Sequence, residues 1–312
     1  MNRASYIAGR LAQIVPTLLA IGVIVFLLTR LLPGGPIAAL LGDKASDEAV
    51  ARITAQYGFD QSIWVQFVKF INLAVHGDLG DSIALRLPVM RLIGDRLPVT
   101  LALTGLAALF ALVLAVPLAF VAALNQNRWP DLLIRSMFQI GLSSPIFYVG
   151  LLLLTSLAAG LRLFPVGGFG ETFWDQLYHL ALPALTLALS LSAIIMRSLR
   201  ASVIATLGAE YVDFARSKGL PEAVVFGRHV LRNALIPTVT IIGLHVGELL
   251  GGAVITETVF AVPGVGRLMV DSIFARDYPL IQALTLTLAV LVSLAFLVTD
   301  LVQMALDPRT AR

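Results

Sequence analysis

The sequence contains no cysteine. Disulfides, thiolate metal sites and cysteine-based catalysis are therefore excluded, while the redox compartment stays open. Charge is nearly as scarce: Asp, Glu, Lys and Arg together make up 13% of the 312 residues, where a soluble domain carries about a quarter. Only three of the 22 basic residues, Lys44, Lys69 and Lys218, are lysine, a bias that fits a GC-rich bacterial genome. No Gly-x-x-x-x-Gly-Lys-Ser/Thr phosphate loop occurs, which argues against an ATPase. A Gly-x-Ser-x-Gly nucleophile is missing too, which argues against a membrane protease of the serine type.

What fills the space is apolar. Hydrophobic residues make up 58% of the chain, and the mean hydropathy is +0.90. That composition belongs to an all-α integral membrane protein. The sequence pI of about 9.4 suggests nucleic acid at first sight. The basic residues, however, lie in short loops between apolar runs, a pattern that orients a chain in a bilayer and makes no nucleic-acid footprint.

A membrane-crossing helix needs about 20 apolar residues, and six segments qualify: 11–32, 99–124, 137–161, 180–196, 234–256 and 280–299. The second, third and sixth carry no charge. Pro183 lies near the start of the fourth, where a missing N–H costs least. The first resembles a signal peptide in its basic flank, Arg3 and Arg10, but its apolar run is too long for one and it reads as a retained span. An even number of spans puts both termini on one face. Arg128, Arg135, Arg197, Arg200, Arg216 and Lys218 crowd the short segments of that same face, which is therefore expected to be cytoplasmic.

The segment 33–98 is then extracytoplasmic, and it reads as helical. Ser46 or Asp47 caps a helix carrying Val50, Ile53 and Tyr57, which Gly58 ends. Ile63, Phe67, Phe70, Ile71 and Ala74 form a stripe on a second helix, 63–75. Pro88 opens a third short helix before Pro98 starts the second span.

A charged island at 197–233 breaks the oily pattern. Glu210 to Lys218 reads as a helix, with Glu210 at the positive end of its dipole and Arg216 and Lys218 at the negative end. Gly219 supplies a left-handed elbow and Pro221 begins a second helix that runs into the fifth span. Ala215, small among charged neighbours, suits close approach to a partner's groove. A plain basic loop satisfies the charge rule equally well, but it needs neither the helices nor the glycine.

These residues resemble the cytoplasmic EAA loop of binding-protein-dependent ABC import permeases, in the form typical of dipeptide, oligopeptide and nickel importers. The matching residues are Tyr211-Val212, Ala215-Arg216-Ser217-Lys218-Gly219-Leu220, Arg228-His229, Asn233-Ala234-Leu235 and Pro237. Asp213 departs from the basic or polar residue common there. The resemblance extends to Arg30-Leu31-Leu32-Pro33-Gly34-Gly35-Pro36, with Gly35 in place of an aspartate, and to Gly77-Asp78-Leu79-Gly80-Asp81-Ser82. It continues through 251–260, 263–268, Arg276-Asp277-Tyr278-Pro279 and Asp307-Pro308-Arg309. The long segment after the first span matches the B-type subunit.

The resemblance implies a type I importer permease fold in the bacterial cytoplasmic membrane. It implies a second, C-type permease subunit, one or two ABC ATPase subunits using ATP and Mg, and an extracytoplasmic substrate-binding protein. It implies no cofactor or metal on this chain. Glu210, Tyr211, Asp213, Ala215, Arg216, Lys218, Gly219 and Leu220 become the expected ATPase-coupling residues. Cargo is a peptide, with nickel or another small solute as the alternative. A secondary transporter without an ATPase leaves the island unexplained.

Two further groups stand out. His245 and Glu248 lie three apart within the fifth span; they either line the translocation path or bond to each other as a structural pair. Glu257, Phe260, Pro263 and Arg267 surround a Pro-Gly-x-Gly turn, followed by the apolar Met269, Val270, Ile273 and Phe274. They are candidates for an outer gate or a surface for a binding protein, although simple bundle packing explains the stripe equally well. His76, His179 and His229 are isolated and read as structural.

Overall fold

In the computed structural model the described residues are 3–31 and 60–306, with positions 48, 51, 54, 55 and 58 between them. Of the expected helix before Gly58, positions 48, 51, 54 and 55 are helical and Gly58 turns left-handed at φ +67°, while Ser46, Asp47, Val50, Ile53 and Tyr57, the exit 32–36 and the terminal Asp307-Pro308-Arg309 lie outside the described residues. Helices account for the architecture; among the described residues the only β-type pairing is an isolated bridge between Asp81 and Pro88.

In chain order the helices are α1 (Arg3–Leu31), α2 (Ile63–Val75), α3 (Val89–Leu124), α4 (Trp129–Ser143), α5 (Ile146–Leu153), α6 (Phe173–Leu207), α7 (Glu210–Ser217), α8 (Glu222–Val224), α9 (Arg232–Val259), α10 (Val265–Phe274) and α11 (Tyr278–Leu306). Wide π-helical turns continue α5 over Leu154–Gly160 and join α8 to α9 over Val225–Leu231. Among the described residues four helices are long and apolar enough to cross a membrane, or up to six where each of two bent pairs is one span.

The helix boundaries depart from the sequence reading at three prolines. The apolar run 137–161 is not one straight helix: α4 and α5 meet at a bend of 106°. Ser144 is extended there, at φ −89° and ψ 132°, the conformation that the Pro145 ring imposes on the residue before it. Pro98 does not open the second span, because α3 runs through it from Val89, with no separate short helix. Pro183 sits well inside α6, fully within the helix and buried. α6 starts at Phe173, where the Thr172 hydroxyl accepts a hydrogen bond from the Asp175 N–H (3.3 Å) and Asp175 faces the positive helix end.

The chain divides into two compact units. The first is built on Leu101–Val262 and the end of α11 from Leu294. Here α6 packs against α4, α5 and α9. Along α3, Ala107, Ala111, Ala115 and Ala119 are fully buried at four-residue spacing, a small-residue stripe that lets helices approach closely. On other faces of α3, Leu101, Leu109 and Val113 are exposed, as lipid contact requires. Gly243 on α9 meets α11 so closely that an added Cβ would overlap the Thr299 side chain.

The second unit comprises Ala4–Thr100 and Pro263–Ser293. Val89, Leu92 and Ile93 pack with Val265, Leu268, Leu280 and Leu284 in one apolar cluster. That cluster fixes the beginning of α3 and explains why the helix persists across Pro98. Phe67 and Phe70 of α2 meet Phe26 of α1 at 5.2 and 5.9 Å between ring centres. Ile71 lies beside Gly22, so the expected stripe is turned toward α1 except at Ile63, which is exposed. A single carboxylate ties three segments: Asp277 accepts from the Ser82 hydroxyl (2.5 Å) and the Ala84 N–H (3.1 Å), and it caps α11 through the Leu280 N–H (3.3 Å).

Candidate functional site

The island folds as a short helix bent back on a longer one. Ala209 precedes α7 in an extended conformation, Glu210 and Asp213 occupy its first turn and Arg216 its last, so charge follows the helix dipole. Lys218 closes the helix and Gly219 turns left-handed, at φ +74°, with its N–H donated to the Arg216 carbonyl (2.8 Å). Pro221 then caps α8 from just outside, one position earlier than a first helical residue.

The two faces of α7 differ. Val212 is fully buried and Ala215 is only 5% exposed, both turned toward the chain itself. Ala215 therefore serves internal packing, and its small size is used within this protein. The outward side carries Glu210, Tyr211, Asp213 and Phe214. Phe214, absent from the expected coupling residues, is 61% exposed, with the Lys218 ammonium 4.5 Å from its ring centre. Tyr211, Phe214 and Lys218 recur at three- and four-residue intervals, so helical spacing alone could have placed Phe214 on that face. Leu220 is also exposed.

Two side-chain contacts join α7 to its neighbours, and a third anchors the π-helical segment beyond it to α3. Arg216 donates to Glu222 across the elbow (3.0 Å) and lies 3.7 Å from Asp213. The Asn233 side-chain amide donates to the Tyr211 hydroxyl (3.3 Å) and to the His229 carbonyl (2.7 Å). Phe226, in the π-helical segment, packs edge-on against Phe120 of α3 at 5.2 Å.

His245 and Glu248 meet each other, Nδ1 to Oε2 at 2.6 Å. They border a cavity of about 50 Å³ with Ser190, Leu187 and Ile146. Glu248 is 68% exposed, so its bond to His245 leaves it open to a further contact.

The gate candidates occupy different settings. Glu257 is fully buried, and the Val262 N–H is bonded to its backbone carbonyl (2.9 Å). Phe260 is buried beside Gly150, and its carbonyl accepts from the Gly168 N–H (3.3 Å). In the second unit, the Pro263 carbonyl accepts from Arg96 (3.4 Å), and Arg267 lies 3.9 Å from Asp271. The stripe behind them splits: Met269 joins the apolar cluster while Ile273 and Phe274 are exposed. His76 and His179 bond to backbone carbonyls one turn earlier in their own helices, at 2.7 and 2.9 Å.

The sequence reading passed over one ion pair. Arg200 of α6 grips Asp131 of α4 through two bonds of 2.6 Å, with the carboxylate fully buried. Asp131 directly after Trp129-Pro130 was legible as a first-turn acid; its partner 69 positions away was not.

Residues 115–312 match the model of the binding-protein-dependent transport system inner membrane component, and residues 4–104 match that family's N-terminal component. The chain belongs to this family. It is the permease subunit of an ABC importer and a multi-pass inner membrane protein. The chain is 38% identical over 314 residues to the probable D,D-dipeptide transport system permease protein DdpB of Escherichia coli (strain K12), covering 93% of this chain and 92% of that one. It is 39% identical over 304 residues to the glutathione transport system permease protein GsiC of Salmonella paratyphi A, covering 97% and 98%. Among solved structures, the inward-facing MetNI methionine ABC transporter shares the fold, at a TM-score of 0.59 and 16% identity over 70% of this chain and 97% of that one.

Proposed function

We propose that this permease forms half of a peptide translocation pathway and receives its drive through α7, docked on a separate ATPase subunit that binds ATP and Mg. The observation that carries this reading is the two-sidedness of α7. Its inner face is buried in the chain, while Glu210, Tyr211, Asp213 and Phe214 face outward, and Phe214 remains 61% exposed. The bonds to Glu222 and Asn233 supply the stiffness that a coupling element needs, since a partner shifts a conformational equilibrium only through contacts that differ between its states.

The remainder of the assembly follows from the family. A count of six spans, with each bent pair as one, supports the reading in which both termini and α7 are cytoplasmic and α2 is extracytoplasmic. A C-type permease completes the pathway, and an extracytoplasmic binding protein delivers cargo near Pro263, Arg267 and the exposed Phe274. Peptide cargo is supported by the names of the relatives, which concern a D,D-dipeptide and glutathione.

Two measurements test these roles. Glu210→Lys combined with Phe214→Ala is expected to leave the permease inserted while the ATPase subunit recovered with it falls about tenfold, the loss of an aromatic anchor and a reversed charge being worth about 1–2 kcal/mol. Recovery equal to wild type removes α7 as the docking element. His245→Gln with Glu248→Gln is expected to lower uptake of dipeptides with free termini relative to terminally blocked ones, with assembly unchanged because so exposed a pair contributes little to stability. An unaltered ratio of the two uptakes dismisses a path-lining role.

A further inference from the structure

We propose that the cavity between α4 and α6 binds the phosphate headgroup of an anionic phospholipid. The cavity measures about 760 Å³, and three guanidinium groups border it: Arg135, Arg197 and Arg200. Between them these three face one carboxylate, that of Asp131. Arg200 holds Asp131, whose second oxygen also accepts from the Asn127 N–H (2.9 Å), so this carboxylate is committed at both oxygens. Arg197 donates to the neutral Gln139 side chain (2.6 Å), and Arg135 has no salt bridge among the described residues. Three guanidinium groups thus face a single carboxylate, which leaves the border of a water-accessible hollow with net positive charge. A cavity of that kind attracts an anion.

The surroundings select which anion. On α4, Leu132 and Ile140 line the same hollow as the arginines, and each is more than half exposed. Trp129 stands at the polar start of the same helix and is 74% exposed. Tryptophan and arginine beside a bare aliphatic face mark the level at which headgroups meet acyl chains. A free phosphate ion uses the arginines alone, whereas a diacyl phosphate uses the aliphatic face too. Basic pockets between membrane helices are suited to such headgroups by charge and by shape. The site is independent of α7, so the lipid proposal stands or falls apart from the coupling role.

The test uses the whole importer, purified with its partner subunits, stripped of lipid in detergent and incorporated into vesicles of phosphatidylcholine with or without phosphatidylglycerol. Lipid retained after re-extraction is quantified by mass spectrometry. Wild type is expected to retain phosphatidylglycerol in preference to phosphatidylcholine. Arg135→Gln with Arg197→Gln is expected to weaken that retention about 30-fold, which is about 1 kcal/mol for each charge removed, and Arg135→Lys with Arg197→Lys to keep most of it. Arg200 is left intact because it holds the buried Asp131. Equal retention by the Gln variant overturns the proposal, as does wild-type indifference between the two lipids. That second comparison needs no variant to fold. Inorganic phosphate that displaces phosphatidylglycerol and binds the stripped importer as well as the lipid did overturns the lipid assignment in favour of a free-anion site. Ser136→Cys, the only thiol in this chain, reports the remaining outcome: a cross-link from it to the second permease subunit, with no anionic lipid retained, means that protein covers this face.

Discussion

Replacing Gly219 by valine is expected to leave the importer assembled in the membrane yet nearly unable to transport, with ATP hydrolysis no longer tied to uptake. The reason is the backbone and nothing else. At φ +74° a β-branched residue is strained by roughly 1–3 kcal/mol, whereas no atom lies within 4 Å of an added Cβ. A penalty of that size shifts the population of the folded elbow by about 5–150-fold. The energy is relieved most cheaply by opening the turn, which would pull Arg216 from Glu222 and Tyr211 from Asn233 and free α7 from α9. Asparagine tolerates the left-handed conformation, so Gly219→Asn is expected to retain most transport. Uptake and ATPase rates measured in vesicles on both variants separate the accounts. If asparagine proves as damaging as valine, conformational strain is not the cause.

That elbow was legible before any coordinates, because a glycine between a charged helix and a proline has few other uses. What the sequence could not reveal was which way each side of α7 turns. Ala215 reads as small and therefore available, but the space it leaves is filled by its own chain, and the exposed neighbour is Phe214. Both belong to one helical pattern, and only the position of the segments packed beneath it distinguishes inside from outside. The prolines teach the same lesson. Pro98, Pro145 and Pro183 carry identical local preferences, yet only Pro145 coincides with a break. Leu92 and Ile93, buried before Pro98, and the burial of Pro183 itself hold those two helices together against the missing N–H. The apolar runs predicted which segments are helical, while contacts between distant segments decided where helices bend.

The buried carboxylate of Asp277 gives the second large effect. Asp277→Ala is expected to destabilise the permease by about 2–4 kcal/mol, since it strands the buried Ser82 hydroxyl at roughly 1–3 kcal/mol, removes the acceptor of the Ala84 N–H and uncaps α11. The melting transition of the purified complex should fall accordingly, and uptake should fail for want of folded protein. Ser82→Ala is expected to cost less, because Asp277 keeps its two backbone donors. Asp277→Asn should lie between, retaining an acceptor for Ser82 but losing the charge that strengthens all three bonds. A double-mutant cycle on Ser82 and Asp277 isolates their direct coupling, and a coupling near zero would show that the carboxylate acts only as the helix cap. Asp277 before Tyr278-Pro279 reads locally as a cap, but its bond to Ser82 spans 195 positions. Two tracts of the family resemblance, Gly77 to Ser82 and Arg276 to Pro279, are thus two halves of one structural joint, which explains why a loop after the first span and a loop before the last carry matching signatures.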